Sequence, residues 1–146
     1  MNAYMNSYQQ TQVATASPEN ILIMLYDGAI RFTRQAILGI REGDVSGKVT
    51  GIQKAMAIVA EFRNTLDHEV GGEIASNLDA LYDYMIRSMM DANLKNDERP
   101  LVVVEDLLCG LRETWMQAIE INRQEVAGVS ANVPAEPDAK HLATVY

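Results

Sequence analysis

Apolar residues recur at helical spacing through four successive segments of this chain, and this periodicity constrains the fold more than any other feature. The first segment follows a helix start signal, in which Ser17 can cap, Pro18 suits the first helical position and Glu19 complements the helix dipole. The segment carries two adjacent apolar stripes, which suit a helix with partners on two sides. The stripes are Ile21, Leu25, Gly28, Phe32, Ala36 and Ile40, and Leu22, Tyr26, Ile30, Thr33 and Ile37.

The same periodicity, interrupted by short polar or glycine-rich breaks, predicts four helices. Their expected bounds are Pro18 to about Ile40, about Val45 to Glu69, Glu73 to about Leu94, and a last helix that follows the Asn96-Asp97 cap and fades near Val126. Because short loops join antiparallel neighbours, the sequence predicts an all-α, antiparallel up-down four-helix bundle.

The two ends of the chain lack this periodicity. Residues 1–16 are polar with a few apolar residues such as Tyr8, which predicts an N-terminal arm that either lies in a groove or is a frayed terminus. After Ala127 prolines and scattered charges replace the helical pattern, so 127–146 is predicted to be a flexible, disordered tail. The expected organisation is one bundle domain over 1–126, which includes the arm, followed by the tail.

Glycines inside the predicted helices need a packing reason. Gly28 lies mid-helix, where glycine costs roughly 1 kcal/mol relative to alanine. We therefore expect its backbone to lie close to another helix, either of the bundle or of a bound partner. Gly47 and Gly51 are expected to weaken the first turns of the second helix.

Composition excludes several classes of function. The net charge of −8 and the pI of about 4.7 argue against a nucleic-acid binder and against an anionic membrane surface, both of which require a basic face. A single cysteine, Cys109, excludes an internal disulfide. The chain shows neither a signal peptide nor an apolar run of about 20 residues, so a cytoplasmic protein that does not insert into membranes is expected.

No catalytic or metal-binding constellation stands out. Neither His68 nor His141 has a glutamate three positions before it, as a di-iron bundle requires. Cys109 lies in an apolar helix without a suitably placed histidine, which favours a buried small hydrophobe over a nucleophile. The chain is therefore predicted not to be an enzyme and to need neither a cofactor nor a metal; a helical-bundle enzyme remains the third alternative.

Methionines and tyrosines cluster on the third predicted helix. Met85, Met89 and Met90 lie there, with Tyr82 and Tyr84 beside them. Methionine lines surfaces that accept helices, and tyrosine suits the rim of a groove. Ordinary core filling and half-buried aromatics are the alternative interpretation.

Several ordered motifs resemble the FliS family of flagellin-specific export chaperones. The resemblance covers about Tyr8 to Ile121 and is carried by Ser17-Pro18-Glu19, Met24-Leu25-Tyr26-Asp27-Gly28-Ala29-Ile30, Gly71-Gly72-Glu73-Ile74-Ala75, Leu81-Tyr82-Asp83-Tyr84-Met85, and Leu111-Arg112 with Trp115. It implies a cytoplasmic chaperone that binds the disordered C-terminal segment of flagellin, prevents early polymerisation and delivers flagellin to the type III export apparatus through the export gate.

The alternative is an adaptor or regulator that binds an amphipathic helix of another flagellar protein. Whether the free protein forms a homodimer is left open. The binding surface is expected mainly on the second and third helices, with help from the first. Its expected contact residues are Tyr8, Tyr26, Leu66, Leu78, Leu81, Tyr82, Met85 and Met89.

Overall fold

The computed structural model describes residues 17–132, and these form four α-helices. They are α1 (Pro18–Glu42), α2 (Val45–Asn64), α3 (His68–Lys95) and α4 (Arg99–Asn132). Consecutive helices pack side by side and α4 packs back against α1, which closes the ring of an up-down bundle. The predicted all-α four-helix bundle is confirmed. The predicted arm, including Tyr8, and residues 133–146 lie outside the described residues.

Capping residues define both ends of α1 and the start of α2, and Ser17 is the cap that the sequence predicts. The Ser17 hydroxyl accepts the backbone N–H of Asn20 at 3.3 Å, which satisfies a donor that the first turn leaves free. Gly43 ends α1 with a φ of 71°, a left-handed conformation that favours glycine. Asp44 then caps α2 by accepting the N–H of Gly47 at 3.0 Å.

The boundary between α2 and α3 lies earlier than predicted. Helix α2 ends at Asn64 rather than at Glu69, because Asp67 accepts the N–H of Glu69 at 3.1 Å and starts a new helix. Leu66, which continued the apolar period, instead fills the core from the loop. The predicted glycine break survives as a kink inside α3, where Gly72 has a φ of 50°.

Helix α4 is longer than predicted. It continues to Asn132, whereas its apolar stripe fades near Val126. The segment 127–132 therefore belongs to the helix rather than to the tail.

Four aromatic side chains, one from each helix, meet in the centre of the bundle and form the aromatic cluster: Tyr26, Phe62, Tyr82 and Trp115. The rings of Tyr26 and Phe62 stack at 4.4 Å between centroids, and those of Phe62 and Tyr82 lie 5.5 Å apart. The Tyr26 and Tyr82 hydroxyl oxygens are 2.7 Å apart, and Trp115 Nε1 donates to Tyr26 Oη at 3.2 Å. Burial raises the pKa of Tyr26, so its hydroxyl stays protonated in this network.

Tyr26→Phe is expected to lower the free energy of unfolding by about 1–2 kcal/mol, because the buried Trp115 indole N–H loses its acceptor. Tyr84→Phe is the matched control, since Tyr84 lies on the same bundle but is 44% exposed, and its loss should cost less than about 0.5 kcal/mol. Urea unfolding of the two variants measures the difference. Equal stabilities would show that the hydrogen bonds at Tyr26 contribute nothing.

The backbones of α1 and α2 approach each other closely, but they do so at Gly39 and Gly51 and not at Gly28, where the sequence predicts the close approach. A Cβ on Gly51 would lie 2.6 Å from the Phe32 carbonyl oxygen, and one on Gly39 would lie 2.5 Å from Lys48 N. A Cβ on Gly28 would meet only a side-chain methyl, at 3.3 Å. Gly28 is buried against the neighbouring helix as expected, yet the backbones themselves touch at Gly39 and Gly51.

Candidate functional site

The structure places most of the predicted contact residues in the core. Tyr8 lies outside the described residues, and Leu81 is half-buried against the core. The other six are buried: Tyr26, Tyr82, Met85 and Met89 at 0% exposure, and Leu66 and Leu78 at 9%. Contact between a partner and these six side chains requires the bundle to open, so their role in binding stays a prediction. Core packing alone accounts for their apolar character.

The predicted methionine cluster is divided between two environments. Met85 and Met89 are core residues of α3, which favours the core-filling alternative for them. Met90 is 56% exposed. The sequence does not distinguish the buried Met85 and Met89 from the exposed Met90, because the apolar periodicity of α3 does not show which of its residues the neighbouring helices cover.

Large apolar side chains that do reach the surface are concentrated on two helices. Of twelve such residues among the described side chains, ten belong to α3 and α4, and only Leu38 and Val45 lie elsewhere. The ten are Val70, Ile74, Tyr84, Met90 and Leu94 on α3, and Val102, Val103, Met116, Ile121 and Val129 on α4. The apolar surface that lacks a partner is therefore on the α3–α4 half of the bundle.

Ion pairs show which flank of α3 faces which neighbour. Arg63 of α2 donates to Asp83 of α3 at 3.0 Å, so this carboxylate marks the α2 flank. At 100° per residue, Ile74, Leu81 and Tyr84 lie on the opposite flank of α3, toward α4. Of this stripe, the sequence predicts Leu81 as a contact residue and Tyr84 as a candidate for the rim of a groove, but it predicts no role in binding for Ile74.

Helix α4 presents a matching stripe. Arg34 of α1 donates to Glu105 at 2.7 Å, which marks the α1 flank of α4. Val103, Leu107 and Leu111 lie on the other flank, toward α3, and the two leucines are half-buried against the core. The two stripes thus lie on the flanks that α3 and α4 turn toward each other, and because the helices are antiparallel, the Leu81 end of one stripe is nearest the Leu111 end of the other.

We name this surface the α3–α4 groove and define it by six residues: Ile74, Leu81, Tyr84, Val103, Leu107 and Leu111. The stripe from Ile74 to Tyr84 rises about 15 Å along α3, enough for nearly three turns of a bound helix. Gly110 leaves open space beside the stripe, since nothing lies within 4 Å of the position of its missing Cβ. The surface is thus apolar and elongated, with one tyrosine hydroxyl at its edge.

The groove also differs electrostatically from its neighbours. Arg34–Glu105, Arg41–Glu98 and Arg112–Asp27 pairs join α1 to α4, and Arg63 joins α2 to α3. Within residues 17–132, no ion pair joins α3 to α4. A ligand that covers the groove therefore has no inter-helix salt bridge to displace.

Residues 17–132 offer few candidates for a metal site or a catalytic site. No group of three or more histidine, cysteine, aspartate or glutamate side chains there is arranged to hold a metal ion. Cys109 is a free, half-buried thiol. His68 is the first residue of α3, whereas the predicted bounds place it near the C-terminal end of α2. None of the four helices, over the same residues, combines the length and apolarity that crossing a membrane requires.

Comparison with known proteins is consistent with this geometry. A family model described as "Flagellar protein FliS" matches residues 1–122. Three relatives are each named "Flagellar secretion chaperone FliS". The Salmonella typhimurium protein is 42% identical over 80% of this chain and 87% of its own length. The Bacillus subtilis protein is 37% identical over 84% and 90%, and the Campylobacter jejuni protein is 38% identical over 80% and 91%.

These relatives are named as chaperones, which implies a role without catalysis. The match ends at residue 122, so the last turns of α4 extend beyond the matched region. The motifs that carried the resemblance all lie inside it. The chain belongs to the FliS family of flagellar secretion chaperones.

Proposed function

We propose that this protein binds the disordered C-terminal segment of newly made flagellin in the bacterial cytoplasm, prevents its premature polymerisation and delivers it to the flagellar type III export apparatus. The observation that carries the proposal is the α3–α4 groove, an apolar surface without a partner on a member of the FliS family. The export gate is the proposed destination of the complex.

The groove suits an amphipathic helix. A polymerising segment that has not yet reached the filament exposes an apolar face, and such a face drives aggregation. The two stripes of the groove offer apolar contacts over nearly three helical turns, which matches the helix-in-groove mode of peptide recognition. The Tyr84 hydroxyl at the edge can pair with a polar group of the ligand, because the side chain is 44% exposed.

The chemistry of the ligand makes release possible. A segment that is disordered when free loses conformational entropy when it binds, so a large interface does not have to be irreversibly tight. A chaperone must give up its cargo, and this entropy cost lowers the work that the export step has to perform. The six residues that define the α3–α4 groove carry no charge, so binding there should depend little on salt.

Substitutions at exposed residues of the α3–α4 groove test its role in binding, because they leave the core intact. Ile74→Asp and Tyr84→Asp should each weaken binding of a peptide of the flagellin C-terminal segment at least tenfold, about 1.4 kcal/mol. Leu38→Asp is the matched control, since Leu38 is 51% exposed but lies on α1 outside the groove. Titration calorimetry measures the affinities, and circular dichroism checks that each variant keeps its helices.

The proposal is wrong if the two groove variants bind like the wild type, or if Leu38→Asp weakens binding as much as they do. The alternative function, an adaptor for an amphipathic helix of another flagellar protein, is separated by co-purification. The chain should purify with full-length flagellin and be lost when the C-terminal segment of flagellin is deleted. Retention after that deletion would favour the adaptor.

A further inference from the structure

We propose that Arg31, Phe32 and Lys54 form a second docking site, the Phe32 patch, on the outer face of the α1–α2 seam. Its ligand is an acidic segment of another protein, in which carboxylates flank an apolar side chain. The site goes beyond the proposed function, because it lies on different helices from the α3–α4 groove and takes a ligand of different chemistry.

The patch is built around one aromatic ring. The Arg31 guanidinium carbon lies 5.0 Å from the centroid of the Phe32 ring, and Lys54 Nζ lies 5.2 Å from it. The ring is half-buried, whereas both cationic side chains are exposed. Cation–π attraction of about 0.5–1 kcal/mol at exposed sites holds each cation near the ring. The exposed part of the ring and two positive charges are thereby presented together.

These two cations differ from the arginines that join neighbouring helices. On the α1–α4 and α2–α3 seams, Arg34, Arg41 and Arg63 are neutralised by carboxylates of a neighbouring helix. Arg31 and Lys54 make no ion pair with any residue between positions 17 and 132. A chain of net charge −8 has many carboxylates that could have been placed beside them. The positive charge of the patch is therefore available to an external anion.

The scaffold under the patch is rigid. Gly39 and Gly51 allow the backbones of α1 and α2 to touch, and Gly51 packs directly against the Phe32 carbonyl oxygen. Tight packing fixes the spacing between the backbone positions that carry Arg31 on one helix and Lys54 on the other, and the cation–π contacts with Phe32 restrict the two side chains. A preorganised pair of cations loses less entropy when it binds a ligand than a flexible pair does.

A ligand on the Phe32 patch leaves the α3–α4 groove free. The helices follow one another around the bundle, so the α1–α2 seam lies opposite the α3–α4 seam. A ligand on the patch and a helix in the α3–α4 groove have no residues in common. The protein can therefore hold both at once, which suits a carrier that must be recognised while it is loaded.

The chemistry favours an acidic peptide over a nucleic acid. Two carboxylates can make charge-assisted hydrogen bonds to Arg31 and Lys54 while a neighbouring apolar side chain contacts the exposed part of the Phe32 ring. A nucleic-acid strand would need a longer run of cations along its phosphates, and the acidic character of the chain opposes this. Exposed ion pairs contribute little individually, so the apolar contact must supply part of the affinity.

The test uses the full chain and a short fluorescent peptide with glutamates on both sides of a leucine–phenylalanine pair. Fluorescence anisotropy should detect binding that weakens as the salt concentration rises. Arg31→Glu and Lys54→Glu should each lower the affinity at least fivefold, and Phe32→Leu at least threefold. Arg123→Glu is the control with the same change in charge, because Arg123 is exposed on α4 and forms no ion pair with a described residue; it should bind like the wild type.

Three results would overturn the proposal: no binding of the glutamate peptide at low salt, equal loss of affinity in Arg123→Glu, or undiminished binding of a peptide with glutamine in place of glutamate. Tighter binding of a single-stranded oligonucleotide, lost in the same variants, would also overturn it in favour of a nucleic-acid ligand. Binding of the flagellin peptide is measured in parallel. The Phe32 patch variants should retain it, so failure of one proposal is distinguishable from failure of the other.

Discussion

Met85→Asp should leave the chain largely unfolded, whereas Met90→Asp should leave the bundle intact. The two methionines lie five positions apart on α3, yet Met85 is fully buried and Met90 is 56% exposed. An aspartate at position 85 has either to bury its charge or to take up a proton, and it leaves a poorly filled space in place of the methionine. The combined cost is several kcal/mol, comparable with the 5–15 kcal/mol that stabilises a typical domain.

Circular dichroism and thermal melting of the two variants measure this contrast. Met90→Asp should change the free energy of unfolding by less than about 0.5 kcal/mol, as surface substitutions usually do. A Met85→Asp variant that folds normally but no longer binds flagellin peptide would contradict the core assignment. It would favour instead the sequence prediction that Met85 contacts the partner directly.

Gly51→Ala should destabilise the protein by about 2–3 kcal/mol, although alanine is the better helix former. The added Cβ would lie 2.6 Å from the Phe32 carbonyl oxygen and 2.8 Å from Ala36 N, distances that real Cβ atoms essentially never show. Both contacts are backbone atoms, so α1 and α2 must separate along the seam. The cost of overpacking outweighs the gain of about 1 kcal/mol in helix propensity.

Gly110→Ala is the matched substitution, because Gly110 also lies inside a helix but has nothing within 4 Å of its missing Cβ. It should raise the free energy of unfolding by up to about 1 kcal/mol. Chemical unfolding in urea gives both values on the same scale. If Gly51→Ala were stabilising to the same extent, the seam would be loose enough to admit a methyl group and the two backbones would not touch.

Much of the fold was predictable because its determinants are local. The Ser17 cap, the left-handed Gly43 and the Asp44 cap act over a few residues, so the sequence defines the ends of α1 and the start of α2. The end of α2 was predicted wrongly, since Leu66 continued the apolar period while Asp67 started a new helix. Two local signals conflicted there, and the cap determined where the helix began.

The candidate site was harder to predict because it depends on which flank each helix presents to its neighbours. Leu81 is a predicted contact and is half-buried at the groove, and Tyr84 is a predicted rim residue, but the sequence predicts no role in binding for Ile74. Tyr26 and Tyr82 are predicted contacts that form a hydrogen bond in the core, so their role in binding stays a prediction. A stripe of apolar residues in a sequence predicts a buried surface. Only the assembled bundle shows whether another helix of the same protein covers that surface or whether it stays exposed to a partner.

The aromatic cluster has a consequence for how the protein loses its structure. Each helix contributes one ring, and each ring contacts or hydrogen-bonds a ring of another helix. No single helix can therefore detach without breaking an interaction of the aromatic cluster. Unfolding should therefore be cooperative, with the amides around Tyr26, Phe62, Tyr82 and Trp115 exchanging with solvent through one shared opening reaction. Cargo loading and release would then proceed on the outside of a bundle that behaves as one thermodynamic unit.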